Sequence, residues 1–101
     1  MITPTYQYMA DLRLPDEITS AFVDLMPQQR AVVDQFLQEG VLVNYAVSLE
    51  DARAWAVFNA NSEMEVLEFL AQFPLTPFME VEVSQLSTYN TTTGSPAFSL
   101  N

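Results

Sequence analysis

The sequence predicts an α+β fold with elements in the order β-α-β-β-α-β. Three observations carry that prediction. Four segments alternate with a period of two, apolar residues at helical spacing fill the stretches between them, and Pro or Gly stands at most junctions. At 101 residues the chain is one domain. Half of its residues are hydrophobic, with seven Phe, four Tyr and one Trp, which is enough to build a core.

The first strand comes from Tyr6, Tyr8, Ala10, Leu12 and Leu14 alternating with Gln7, Met9, Asp11 and Arg13, and Pro15 stops it. Ile18, Phe22, Leu25, Val32, Phe36 and Leu37 then recur at near-helical spacing. Pro27 lacks an amide hydrogen and disfavours helix at Met26, so the spacing predicts a short helix, a break, and a second helix starting at Pro27. Gly40 suits the C-cap of that second piece. Val41, Val43, Tyr45, Val47 and Leu49 share one side of a second strand, Glu50-Asp51 turns the chain, and Arg53–Ala60 is a third strand. Asn61 or Ser62 caps a second helix whose first turn carries acids, where the helix dipole favours them. Pro74 and Pro77 end that helix and fix the turn into a last strand, in which apolar residues alternate with Glu80 and Glu82.

This order is the split βαβ, or ferredoxin-like, arrangement: a four-stranded antiparallel sheet with both helices on one face. The bare face needs a cover. Nothing else in so short a chain is left to supply it, so a second copy is expected there, giving a dimeric α+β barrel. Residues 1–88 form the domain and residues 89–101, rich in Thr, Ser and Gly, a C-terminal tail. Phe98 and Leu100 of that tail are either a docking point on a partner subunit or part of a disordered end.

Composition closes several functions. The net charge is −10, and the only basic side chains are Arg13, Arg30 and Arg53. Nucleic-acid binding needs several cations on one face, and anionic membranes disfavour so acidic a chain. With no cysteine there is no disulfide, thiolate nucleophile or zinc-finger spacing, and with no histidine the usual proton shuttle near neutral pH is missing. The five methionines are gap-fillers, and no acidic pair resembles a calcium loop, so no metal site is expected. The N-terminus lacks signal-peptide character and no stretch reaches membrane-span length, so a cytoplasmic location is the expectation.

The stretch Phe73–Leu86, "FPLTPFMEVEVSQL", resembles the terminal motif of the muconolactone isomerase family: paired prolines, an aromatic residue, Met, then acids alternating with apolar residues. Pro74-Leu75, Pro77-Phe78-Met79, Glu80 and Glu82-Val83 carry the match. "DLRLP" (residues 11–15), "QEG" (38–40) and "VFNANSEMEVLEFL" (57–70) extend it over nearly the whole fold. The resemblance implies a cofactor-free proton shift on a small lactone, in oligomers built from barrel dimers. It also has gaps. Where the family's first strand offers a His and an Arg, this chain has Gln7 and Met9; where its second strand tends to place His, Trp and Arg, this chain has Asn44, Ala46 and Val47.

On the face away from the helices the chain keeps Gln7, Asp11 and Arg13 on the first strand and Glu80, Glu82 and Ser84 on the last. A proton shift needs a base within hydrogen-bond reach. Glu80, Glu82 and Asp11 are therefore the candidate catalytic residues. Gln7, Arg13, Asn44, Arg53 and Trp55 are the candidates for binding: the arginines for an anionic group, Gln7 or Asn44 for a carbonyl, Trp55 for stacking. Tyr6, Tyr8, Trp55 and Phe58 fit core positions as well as they fit ligand stacking. Two readings follow. The protein is either an isomerase-like enzyme acting on a small cyclic molecule between subunits, or a non-enzymatic oligomeric, ligand-binding module that kept the fold and lost the chemistry.

Overall fold

The computed structural model describes residues 6–90. The strands are β1 (Tyr6–Arg13), β2 (Leu42–Ser48), β3 (Arg53–Ala60) and β4 (Glu80–Gln85), and the helices are α1 (Ser20–Glu39) and α2 (Glu63–Leu70). A 3₁₀ turn at Thr76–Phe78 leads into β4. The sheet is antiparallel, in the order β2-β3-β1-β4, with the first and last strands adjacent. The expected docking residues Phe98 and Leu100 lie outside the described residues.

Alternation sorts each strand into two faces. Tyr8, Ala10 and Leu12 of β1 and Ala54, Ala56, Phe58 and Ala60 of β3 are buried beneath the helices. They meet Phe36, Val66, Leu70 and Phe73 in one core. Phe58 stacks on Phe69 at 6.0 Å and lies 6.2 Å from Phe73. Of the aromatic residues with two readings, Tyr8 and Phe58 are core, Tyr6 is exposed, and Trp55 is half-buried on the opposite face.

The expected break at Pro27 is absent: α1 runs unbroken from Ser20 to Glu39 with Pro27 inside it. An interior proline costs about 3 kcal/mol. Here Phe22 before it and Gln29, Val33 and Phe36 after it form one buried stripe, and burying that stripe as a unit outweighs the missing hydrogen bond. The Thr19 hydroxyl caps the start, accepting from the Phe22 amide. Gly40 ends the helix at φ 77°, with the amides of Gly40 and Val41 returned to the carbonyls of Leu37 and Phe36.

The second strand also departs from simple alternation. Leu42 pairs with Phe58 and Asn44 with Val57, so Val43 is a bulged extra residue. The bulge turns Leu42, Tyr45 and Val47 to the helix side, in place of the unbroken odd-numbered set. Ser62, not Asn61, caps α2 by accepting from the Glu65 amide, while the Glu65 carboxylate reaches back to the Asn61 amide. Among the described residues no helix is long and apolar enough to cross a membrane.

Candidate functional site

The register lays out the bare face of the sheet in rows. At one end Ser48, Arg53, Arg13 and Glu80 stand side by side across β2, β3, β1 and β4. The next row is Ala46, Trp55, Asp11 and Glu82, and the third is Asn44, Val57, Met9 and Ser84. Gln7 and Asn59 pair at the far end. The period of two in four strands therefore collects most of the chain's chemistry at one end of one face.

There Asp11, Arg13, Arg53, Glu80 and Glu82, with Val81, line a recess of about 180 Å³. Like charges face each other twice, Arg13 opposite Arg53 and Asp11 opposite Glu82, an arrangement that destabilises a sheet unless diagonals compensate. One diagonal does: Arg53 Nε lies 3.4 Å from Asp11 Oδ1, both side chains about one-third exposed. Arg13, Glu80 and Glu82 form no ion pair among the described residues. The recess thus holds a tied pair and three free charged groups, one cation and two carboxylates.

Of the eight expected site residues, five meet in this recess and Trp55 borders it as the register partner of Asp11. Gln7 and Asn44 lie elsewhere. Arg13 is six positions from Gln7 along one strand, roughly 20 Å, and the Gln7 carboxamide donates to Asn59 Oδ1 at 3.1 Å. Asn59 in turn donates to the Gly40 carbonyl at 2.9 Å, tying β3 to the end of α1. The Asn44 carboxamide donates to the Tyr89 hydroxyl.

That last bond brings Tyr89 to the β2 side of the bare face. The Leu86 amide continues the ladder onto the Gln7 carbonyl, and three residues later Tyr89 reaches β2 at the opposite edge. Residues 86–89 therefore pass over the bare face at its Gln7 end. On that face Val57 is only 1% exposed, while Asn44 and Ser84 stay exposed. Tyr89, placed by its sequence in the tail, is bound to the domain.

A residue not singled out by the sequence is Gln29, a polar side chain 5% exposed in the apolar stripe of α1. Its Oε1 accepts from the Leu75 amide at 3.1 Å and its Nε2 donates to the Tyr45 hydroxyl at 3.4 Å. It joins the helix to β2 and to the turn between the two prolines. The signal was present: at helical spacing between Phe22 and Val33, position 29 is where an apolar residue belongs.

A family model described as muconolactone delta-isomerase matches residues 5–92 of the chain. Among solved structures, the crystal structure of muconolactone isomerase superposes with a TM-score of 0.68 at 21% identity, over 88% of this chain and 96% of that one. No curated protein sequence matches. At that identity the structural likeness speaks for the shared fold.

Proposed function

The chain belongs to the muconolactone delta-isomerase family, and from that premise we propose that it moves a proton on a small lactone, without a cofactor, in the charged recess. One observation carries this reading: three carboxylates and two guanidinium groups line the same recess, and three of those five groups form no ion pair among the described residues.

The roles follow from the register. Arg13 stands opposite Glu80, so Glu82 is its diagonal neighbour, at a Cα separation of roughly 7–8 Å. That leaves room for a five-membered ring between the two side chains. Arg13, the free cation, polarises the lactone carbonyl, the role expected of Gln7 or Asn44 before their bonds to Asn59 and Tyr89 were seen. Glu82 removes a ring proton; the C–H electron pair moves through the ring onto the carbonyl oxygen, which Arg13 stabilises. The conjugate acid of Glu82 then returns the proton to a different ring carbon, and the carbonyl re-forms. The Asp11–Arg53 pair holds the floor of the recess, and a second copy of the chain over the charged half of the face would exclude water. With the family's other basic residues replaced, the preferred lactone carries less negative charge than muconolactone.

The test is turnover of muconolactone and of its uncharged methyl ester, followed by absorbance and by proton exchange in NMR. The ester is expected to react faster, and Glu82→Gln to lower its rate about 10²–10⁴-fold, the usual weight of a general base. Efficient conversion of muconolactone itself would overturn the charge preference. Absence of exchange in either compound would favour the binding-module reading, which the tying of Gln7 and Asn44 into intrachain bonds supports.

A further inference from the structure

The proton shift assigned to the charged recess uses Arg13 and Glu82 and leaves Glu80 without a task. Glu80 lines the recess, is exposed, and forms no ion pair among the described residues. The sheet fixes its place. It stands opposite Arg13 across β1 and β4, and roughly 7 Å from Glu82 along the same face of β4. Arg13, Glu80 and Glu82 are thus the corners of a triangle, each side short enough to be bridged by a small ring and its substituents. Because β4 is an edge strand, the triangle opens sideways to solvent as well as outward from the face.

Charge says what the third corner is for. The recess holds three carboxylates against two guanidinium groups, one negative charge in excess. Arg13, Arg30 and Arg53 are the chain's only basic side chains. Arg53 is held by Asp11, and Arg30 lies on α1 beside Asp34. No basic side chain of the chain is left to neutralise the excess, and a second copy laid over the sheet brings the same excess with it. The net charge of −10 adds a general attraction for cations. What completes the recess is a ligand that carries one positive charge.

We propose that the recess takes a lactone with a protonated amine on the carbon next to its carbonyl, and that Glu80 selects that amine, a reading that rests on the proton shift assigned to the recess. All three corners then serve one carbon and its substituents. Arg13 donates to the carbonyl oxygen, Glu82 faces the hydrogen on the neighbouring carbon, and Glu80 accepts from the ammonium that the same carbon bears. The ammonium helps the chemistry as well as the binding, because it withdraws electrons and so acidifies the hydrogen beside it. Glu82 takes that hydrogen as a proton, and the C–H electron pair moves onto the carbonyl oxygen held by Arg13. In a saturated ring the pair has no other carbon to reach. The proton returns to the carbon it left, and the step is observed as exchange with solvent.

The test is an NMR titration of the full chain with α-amino-γ-butyrolactone, with γ-butyrolactone and the N-acetylated amine as uncharged controls. It is run at about pH 6, below the titration of an α-amino group. The amino-lactone is expected to shift the amides of Arg13, Glu80 and Glu82 and to bind roughly fivefold tighter than either control, the upper range for a solvated ion pair. Added salt should shrink that preference. Glu80→Gln, an exposed change on an edge strand, should abolish it, and Glu80→Asp should keep part of it. In D₂O the protein should speed loss of the α-hydrogen signal most for the amino-lactone. Equal binding of charged and neutral rings, a preference that survives Glu80→Gln, or shifts centred away from the recess would overturn the selection by Glu80. Exchange at equal rates in all three rings would overturn it too, while leaving the proton shift in place. A salt-sensitive preference for the amine with no exchange in any ring would support the selection and overturn the proton shift, so the two readings fail separately.

Discussion

The two faces of the sheet carry side chains from the same strands, yet they are opposite kinds of surface. Beneath the helices Tyr8, Ala10, Leu12, Ala54, Ala56 and Phe58 are at most 6% exposed. One residue away along the same backbone, Asp11, Arg13 and Arg53 face a recess of charge. The helix-side face is held by area and shape, where each lost methylene is felt. On the bare face, partly solvated charges add little net stability however they are arranged. Stability and the proposed chemistry are thus divided between the faces, and a substitution should cost one or the other according to the side on which it falls.

The sharpest way to break that division is at Phe58, fully buried, stacked on Phe69 and packed at a tilt against Phe73. Phe58→Ala is expected to lower unfolding free energy by about 3–5 kcal/mol, read as a shift in urea midpoint at unchanged slope. A cost below about 1 kcal/mol would mean that the helix layer is not the stabilising one. Next comes Gln29→Leu, which strands the Leu75 amide and the Tyr45 hydroxyl. A buried group left without a partner costs roughly 1–3 kcal/mol. Smallest is Arg53→Gln on the bare face, where the pair with Asp11 is one-third exposed. It should change stability by under about 1 kcal/mol while lowering lactone turnover through a misplaced Asp11. A larger loss of stability than of turnover would place that pair among the structural contacts.

The recess was legible before any coordinates because a strand's period of two assigns faces without a structure. Asp11 and Arg13 are two apart, as are Glu80 and Glu82, and a βαββαβ chain sets its first and last strands side by side. The motif around Pro74 and Pro77 identified the family for a related reason, since prolines fix backbone wherever they stand. Gln29 was harder to see. A lone glutamine in a helix reads as solvated, and its two partners, Tyr45 and Leu75, are 16 and 46 residues away in sequence. Pro27 misled because a local rule was applied to a position where burial of a whole helix decides.

By itself, then, the sequence determined the element order, the faces of the first, third and last strands, and the charged cluster, because these rest on local periodicity and on the neighbouring positions of β1 and β4. Tertiary structure alone decided the continuity of α1 through Pro27, the bulge at Val43 and the route of residues 86–89 to Asn44. Each of these balances a local preference against packing from distant parts of the chain, and the packing term exists only once the helices lie on the sheet.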